Sequence, residues 1–440
     1  MTVWQTLFPI PHDLFGLPLF GMGWLLGIWA VVSIPLIGWL TLHHGWTPET
    51  RGHAMVLGMI GLAIAFLLPR LEDQAPNGEP IGLLIRGYGV MLLLGVVGGI
   101  GLAVRRARRM GVHPDHILSL AFWMFVVGIT GARLFYVVTY WDQFAKDNLV
   151  QLAFDVVNVA KGGLVVHGSL IGGLVAAIVY LHRNRLPTLA IADLIAPSMV
   201  LGLALGRVGC LMNGCCFGDE SDHPWSITFP RFGNVVSQLQ RYTPPYEFQL
   251  SQGILHRAPL VTDDEGRVVV GPLDEDSAAA AAGLRSGDRV RSLNGHSLST
   301  PLDASSLWAA ATSTVRIETA DGRIISWELP GLPERSRPVH PTQIYSAINA
   351  GLLCLLLVAI YPFRRRDGEV FAIGLALYAI TRFVLEFLRA DELSVGGQLT
   401  YSQPVSVTLL VLAAVLWAFT RRQPQGSALP ASPRDEVCAT

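Results

Sequence analysis

Charged residues and cysteines are both scarce in this chain. Only 15% of its 440 residues are Asp, Glu, Lys or Arg, and the formal net charge is −1. A net charge this close to zero gives no sign of a nucleic-acid partner, and none is expected. Five cysteines in this length exclude a disulfide-rich scaffold. The motif His-Glu-x-x-His is absent, and no Gly-x-Ser-x-Gly motif falls in an apolar run, which disfavours a membrane protease.

Long apolar runs are what the sequence has instead. Hydrophobic residue types make up 51% of the chain, and a helix needs about 20 such residues to cross a hydrocarbon core roughly 30 Å thick. The sequence therefore predicts an all-α polytopic membrane protein. Its nine predicted transmembrane helices lie near residues 19–42, 52–69, 84–104, 117–139, 162–181, 190–208, 342–362, 369–389 and 402–420.

Basic residues follow alternate predicted spans. The clusters lie at 105–109, 182–185, 363–366 and 421–422. Cytoplasmic loops carry the excess of Lys and Arg, so these loops and the C-terminus are predicted to be cytoplasmic. The N-terminus, the 140–161 loop and the long 209–341 segment are then predicted to lie outside. No Lys or Arg precedes Arg51, so the first span lacks the charged region of a cleavable signal peptide and is predicted to be retained.

Two arginines lie deep in apolar runs, Arg207 in the sixth predicted span and Arg382 in the eighth. A charge in hydrocarbon costs about 2.5–3.5 kcal/mol, so its retention indicates a function. One helical face of the eighth span carries four residues at spacings of four, four and three: Tyr378, Arg382, Glu386 and Arg389. Because a guanidinium fork matches phosphate, these arginines predict an anion site within the membrane. The alternative for any one arginine is an interfacial anchor.

Arg207 and Arg382 belong to two of six motifs that lie along the predicted spans. They are Ile85-Arg86-Gly87-Tyr88-Gly89-Val90, Gly131-Ala132-Arg133-Leu134, His167-Gly168-Ser169-Leu170-Ile171-Gly172-Gly173, Gly206-Arg207-Val208-Gly209-Cys210-x-x-Asn213-Gly214, His340-Pro341-Thr342-Gln343-Ile344-Tyr345 and Tyr378-x-x-x-Arg382-x-x-x-Glu386-x-x-Arg389. Together they resemble the prolipoprotein diacylglyceryl transferase family, over 83–215 and 338–421. The resemblance implies a bacterial inner-membrane enzyme with seven core helices. It implies transfer of the sn-1,2-diacylglyceryl group from phosphatidylglycerol to the lipobox cysteine of a prolipoprotein signal peptide, with release of glycerol phosphate.

The resemblance also implies which residues act. The implied catalytic residues are His167, as base for the thiol, Arg207 and Arg382, as phosphate ligands, and Tyr88, as hydrogen-bond donor to the lipid. Phosphatidylglycerol is implied to bind Arg86, Arg133, Arg207, Asn213, Tyr378, Arg382, Glu386 and Arg389. No metal and no organic cofactor is implied. Two alternatives stay open. His167 could instead form a hydrogen bond between helices, and Glu386 could serve only to orient Arg382.

A long polar segment separates the sixth and seventh predicted spans. Its middle reads as short strands around a small helix, and Ser277–Gly283, Leu284–Val290 and Leu293-Asn294-Gly295 resemble the bacterial PDZ domain. The resemblance implies a β-rich insert that binds a peptide or protein by strand addition; an insert that only caps the membrane domain is the alternative. The predicted division is 1–82 (two additional transmembrane helices), 83–250 (first core part), 251–335 (periplasmic PDZ-like insert), 336–421 (second core part) and 422–440 (disordered cytoplasmic tail).

Cysteines stand where the family motif carries an Asn and a Glu. Cys210 and Cys215 occupy these two positions, and Cys216 follows. Thiols outside the cytoplasm tend to oxidise, so a disulfide from Cys210 to Cys215 or Cys216 is expected. A redox or metal site, with His223 as a fourth ligand, is the alternative. These substitutions mark an atypical family member, and they leave a second functional hypothesis, a catalytically degenerate scaffold that binds lipoproteins.

Overall fold

A computed structural model describes most of the chain. The described residues are 5–75, 77–144, 155–156, 163–233, 241–263, 265–298, 307–308, 314–329, 331–389, 394–395, 399–400 and 402–429. Their helices are α1 (Trp24–His44), α2 (Pro48–Leu62), α3 (Gly87–Arg109), α4 (Pro114–Thr139), α5 (Trp141–Phe144), α6 (Val166–Arg183), α7 (Thr188–Asn213), α8 (Pro244–Ser251), α9 (Ala278–Ala281), α10 (Thr342–Ile360), α11 (Glu369–Glu386) and α12 (Ser402–Thr420). Their strands are β1 (Thr6–Pro11), β2 (Asp13–Leu14), β3 (Leu17–Pro18), β4 (Asp73–Gln74), β5 (Pro80–Arg86), β6 (Leu260–Thr262), β7 (Val268–Val270), β8 (Val290–Leu293), β9 (His296–Ser297), β10 (Thr314–Thr319), β11 (Ile324–Glu328), β12 (Ser394–Val395) and β13 (Leu399–Thr400).

Eight helices in the described part of the chain are long and apolar enough to cross a membrane. They are α1, α2 with its continuation to Leu71, α3, α4, α6, α7, α10 with its continuation to Phe363, and α12. Their ends lie within about five residues of the predicted spans, which confirms a polytopic helical protein. The ninth predicted span also forms a helix, α11. It differs because Glu369, Arg382 and Glu386 place three charges in 18 residues, so α11 lacks the composition of a simple span.

The chain divides into two compact units. The first comprises 1–89, 212–214 and 228–337, and the second comprises 90–211, 215–227 and 338–440. In the first unit, α1 and α2 pack closely, because a Cβ on Gly61 would lie 2.6 Å from the indole ring of Trp29. A three-stranded sheet in the order β1-β5-β4 precedes α3.

The insert within the first unit is rich in β-structure, as predicted. Strands β8–β11 form a sheet in the order β11-β10-β8-β9, and β6 and β7 form a hairpin. Leu293, Trp308 and Ile317 are fully buried in its core. Asn294 and Gly295 have φ values of 51° and 83° between β8 and β9, which is the geometry that an Asn-Gly hairpin turn requires. The described residues therefore form a small domain with its own core.

Glycines allow helices of the second unit to pack at backbone distance. A Cβ on Gly168 of α6 would lie 2.3 Å from the carbonyl oxygen of Gly131 in α4. A Cβ on Gly172 would lie 2.5 Å from the carbonyl oxygen of Val127. Small residues at helix contacts are a common way for membrane helices to pack closely, and Gly168 and Gly172 serve that purpose here. This contact holds the N-terminal end of α6 firmly against α4.

The structure describes the chain beyond α12 through residue 429, and the predicted disorder of 422–440 stays a prediction. The carboxylate of Asp367 accepts a hydrogen bond from the backbone N–H of Ala428 at 2.7 Å. Leu429 is 7% exposed and belongs to a hydrophobic cluster of the second unit. Both contacts are with residues distant in sequence. A local composition rich in Pro and Ser does not reveal such contacts. Residues 430–440 lie outside the described part.

Candidate active site

Glu386 joins two arginines at the C-terminal end of α11. Its carboxylate is fully buried, and Oε2 forms ion pairs with Nη1 of Arg382 and, at 3.6 Å, with Nη1 of Arg389. The hydroxyl of Thr400 donates to Oε1 at 3.0 Å, and Nη2 of Arg382 donates to Oγ of Ser402 at 2.7 Å. The ion pair that the four-residue spacing predicted is therefore present. One carboxylate faces two guanidinium groups, so these three side chains together carry a positive charge.

Arg207 has different surroundings. It lies six residues before the end of α7 at Asn213, which is about 9 Å along the helix axis, and its side chain is half-buried. Among the residues that the structure describes, Arg207 makes no hydrogen bond and no ion pair. Its positive charge acts on the thiol of Cys216. A guanidinium in this state is available to an anionic ligand.

Arg133 is committed to the backbone carbonyl groups of three described residues that follow α5 in the chain. Its guanidinium is buried and donates to the carbonyl oxygens of Asp155 at 2.6 Å, Val156 at 2.9 Å and Gly163 at 2.9 Å. A lipid phosphate would have to displace these bonds. Its predicted role as a phosphate ligand stays a prediction, and its observed contacts hold the backbone at these three residues.

Three of the predicted site residues belong to the first unit. Arg86 ends β5, and its exposed guanidinium pairs with Asp73 at 2.9 Å. Tyr88 is the second residue of α3 and is 41% exposed. Asn213 ends α7, and its carbonyl oxygen accepts a hydrogen bond from Nε2 of Gln5 at 2.8 Å. Their predicted binding of phospholipid stays a prediction.

His167 and Tyr378 lie at two other places in the second unit. His167 is the second residue of α6, and its exposed ring lies 6.4 Å from the ring of Phe135. No hydrogen bond between described residues connects His167 with Arg207 or Arg382. Tyr378 lies on α11 but packs against the hydrophobic cluster that contains Leu357. An exposed imidazole at a helix end suits a base, while Tyr378 contributes to packing.

Comparison with known proteins decides between the remaining interpretations. The family model of prolipoprotein diacylglyceryl transferase matches residues 79–419. A phosphatidylglycerol–prolipoprotein diacylglyceryl transferase of Rhodopirellula baltica is 33% identical, over 94% of this chain and 88% of the relative. A protein of the same name from Nostoc is 25% identical, over 85% of this chain and 98% of its own length. The chain belongs to the prolipoprotein diacylglyceryl transferase family.

Family membership confirms the resemblance drawn from the six motifs. It identifies an enzyme of bacterial lipoprotein biosynthesis in the membrane and disfavours the scaffold alternative. The matched residues begin after α1 and α2, and the prediction that these two helices are additional to the transferase core stays a prediction. The Arg207 and Arg382 sites both fall within the matched region.

A cluster of aromatic and histidine side chains at the start of α10 was not predicted as a site in this transferase. Nδ1 of His340 lies 3.4 Å from the hydroxyl of Tyr345, to which Nε1 of Trp225 donates at 2.7 Å. The ring of His223 stacks on Trp225 at 4.8 Å between centroids. Burial raises the pKa of Asp219, and the nearby His340 opposes that increase. The His-Pro-Thr-Gln motif signalled His340 and Tyr345, but no sequence signal connected them with Trp225.

Three thiols gather where the family motif carries Asn and Glu. Sγ of Cys216 lies 4.0 Å from Sγ of Cys210, about twice the length of an S–S bond. The three side chains are thiols and no S–S bond joins them, so the expected disulfide is not formed. Hydrogen bonds from Cys210 and Cys215, and then the charges of Arg389 and Arg207, lower the pKa of Cys216 against the effect of burial. Arg207 and Arg389 therefore act on the same point in the molecule.

Proposed function

We propose that this protein transfers the diacylglyceryl group of phosphatidylglycerol to the lipobox cysteine of a prolipoprotein and releases glycerol phosphate. Its family membership supports the activity. The observation that carries the mechanism is Arg207, a guanidinium within an apolar helix that has no hydrogen bond or ion pair among the described residues. A scaffold has no use for such a charge, whereas a reaction that releases a phosphate does.

Charge stabilisation is the main catalytic need of this transfer. The thiolate attacks a glycerol carbon, the C–O bond to phosphate breaks, and negative charge develops on the leaving phosphate. Donors already oriented toward that charge lower the barrier most. Arg207 supplies the available charge, and Arg382 supplies one that Glu386 and Ser402 hold in place.

The acceptor thiol must lose its proton before it attacks. A free cysteine has a pKa of about 8.5. A base such as histidine, whose pKa is near neutrality, therefore helps to remove the thiol proton at physiological pH. His167 takes this role in our proposal because its ring is exposed at the N-terminal end of α6. Tyr88 donates a hydrogen bond to the lipid, and the remaining predicted ligands bind its headgroup: Arg86, Arg133, Asn213, Tyr378, Glu386 and Arg389.

Orientation in the membrane follows from the basic loops. We infer that the N-terminus and the insert are periplasmic and that the C-terminus is cytoplasmic. We also infer a PDZ-like insert. Its Gly283 and Gly287 have φ values of 96° and 85°, and the Asp288 carboxylate accepts the Arg285 N–H at 2.9 Å, which supports the turns of the PDZ-type motif. Saturable binding of a C-terminal peptide to the full-length protein, lost when its carboxylate is amidated, tests the inferred peptide site.

Transfer by the purified protein tests the proposal. The protein in phosphatidylglycerol bilayers is given a lipobox peptide and labelled diacylglyceryl donor, beside a peptide with serine in place of cysteine and bilayers of phosphatidylethanolamine. We expect labelling only with the thiol and phosphatidylglycerol. His167→Asn is expected to lower the rate, with His182→Asn, an exposed position of the same helix, as the matched control. A folded protein that binds both substrates without transfer would contradict the proposal.

A further inference from the structure

The three-thiol cluster of Cys210, Cys215 and Cys216 has no part in the transfer described above. Their three sulfur atoms all lie within 4.8 Å of one another. The remaining cysteine of the described chain, Cys354, is buried apart from them in α10. A single ion placed among the three sulfur atoms would contact all of them after small side-chain movements, because the backbone already brings them together.

The donor set selects a class of ion. Thiolates are soft ligands that favour monovalent copper and zinc over harder cations. A structural zinc site is tetrahedral and needs a fourth ligand, and no His, Asp or Glu of the described residues joins this group. In particular, His223, the fourth ligand considered from the sequence, stacks on Trp225 instead. Three sulfur donors alone suit monovalent copper.

The surrounding charge also suits such an ion. Three thiolates and one monovalent cation carry a net charge of minus two, which is costly in a half-buried site. Arg207 and Arg389 both act electrostatically on Cys216, and although Arg389 also pairs with Glu386, these positive groups reduce that cost.

We propose that Cys210, Cys215 and Cys216 bind one monovalent copper ion, or a soft ion of the same class, with loss of the three thiol protons. The site lies where two elements meet. The carbonyl oxygen of Cys215 accepts from Nε2 of Gln343 at 2.8 Å, and that of Cys216 accepts from Oγ1 of Thr342 at 2.6 Å. A bound ion would therefore connect the end of α7 with the segment that holds the start of α10.

Copper titration of the full-length protein tests this site. The purified protein is reduced without added thiols, kept under nitrogen, and titrated with monovalent copper against a coloured chelator. We expect one copper per chain, and X-ray absorption with three sulfur neighbours. Cys210→Ser, Cys215→Ser and Cys216→Ser should each weaken binding by more than the roughly 10- to 100-fold that loss of an outer-shell partner costs. Cys354→Ser is the matched control and should bind as the parent does.

Two further readouts keep the test decisive. If a serine variant does not fold, the thermal unfolding temperature of the parent and of Cys354→Ser should still rise with one equivalent of copper. The proposal is overturned if the reduced parent retains no copper against the chelator, if zinc displaces copper from it, or if Cys354→Ser loses binding as well. Thiol labelling of protein taken directly from cells provides an independent check: a disulfide within the cluster that persists there would also overturn it.

Discussion

The two intramembrane arginines have opposite surroundings. Arg382 pairs with the buried carboxylate of Glu386 and donates to Ser402, whereas Arg207 has no hydrogen bond or ion pair among the described residues. Both lie in apolar helices, where an isolated charge is costly. The ion pair and hydrogen bond of Arg382 offset that cost. No described residue offsets it at Arg207. The contrast indicates that Arg382 serves the fold and orients the site, while Arg207 is held ready for an anion.

The largest expected effect comes from breaking the compensated pair. Glu386→Ala leaves Arg382 without its carboxylate in a buried position, and removal of one member of such a pair costs about 3–5 kcal/mol of the free energy of unfolding. Thermal unfolding of the detergent-purified variant measures it. The double variant Glu386→Ala with Arg382→Met should recover part of the loss, because it removes the unpaired charge. A single variant as stable as the parent would contradict the comparison.

The second prediction concerns Arg207, where removal of the charge is not expected to lower stability. Arg207→Leu removes a charge that has no described partner, so stability is expected to stay equal or to rise by up to about 2.5–3.5 kcal/mol. Arg382→Leu is the matched control and should lower stability, because the buried Glu386 then keeps only its longer ion pair, with Arg389. Thermal unfolding of both variants tests this difference in stability. Equal destabilisation of the two would show that Arg207 also serves the fold.

The third prediction sharpens the description of the Arg382 site. Ser402→Ala removes a 2.7 Å hydrogen bond to the guanidinium, and bonds to charged groups contribute about 1.5–3 kcal/mol. Thermal unfolding should shift by a corresponding amount. Thr408→Ala, an exposed position of the same helix whose hydroxyl donates only to the Pro404 carbonyl, should shift less. A similar shift in both would mean that the Ser402 bond contributes little.

The smallest expected effect concerns packing without charge. A Cβ on Gly168 would lie 2.3 Å from the Gly131 carbonyl oxygen, and overpacking of this kind costs about 1–3 kcal/mol. Gly168→Ala should therefore lower the unfolding temperature, and it should disturb the adjacent His167. Gly101→Ala is the control, because no atom lies within 4 Å of its added Cβ. Equal stability of the two variants would place the close contact of α4 and α6 in doubt.

Local patterns predicted the membrane helices and one ion pair. Apolar runs of about 20 residues form helices in a bilayer, so the eight described helices of membrane-spanning length lie close to the predicted segments. The spacing of Arg382 and Glu386 requires contact on any helix. The Asn-Gly turn at Asn294 is equally local.

Contacts between distant segments were not predictable in the same way. Arg133 binds carbonyl groups about 20 to 30 positions later in the chain, and sequence alone does not show which backbone groups a loop leaves open. Leu429, the last described residue, packs against a hydrophobic cluster of the second unit. Cys210, Cys215 and Cys216 are close in sequence, but the distances between their sulfur atoms depend on the path of the chain after α7.

The transfer rate of Arg207→Ala tests the central claim most directly. The variant and the parent are compared in phosphatidylglycerol bilayers at equal amounts of folded protein, with Arg86→Ala, an exposed arginine paired with Asp73, measured beside them. We predict that Arg207→Ala folds normally and that its rate falls about 10²- to 10³-fold, the usual cost of removing one donor to a developing charge. A folded Arg207→Ala protein that transfers diacylglyceryl groups at the parental rate would contradict the account.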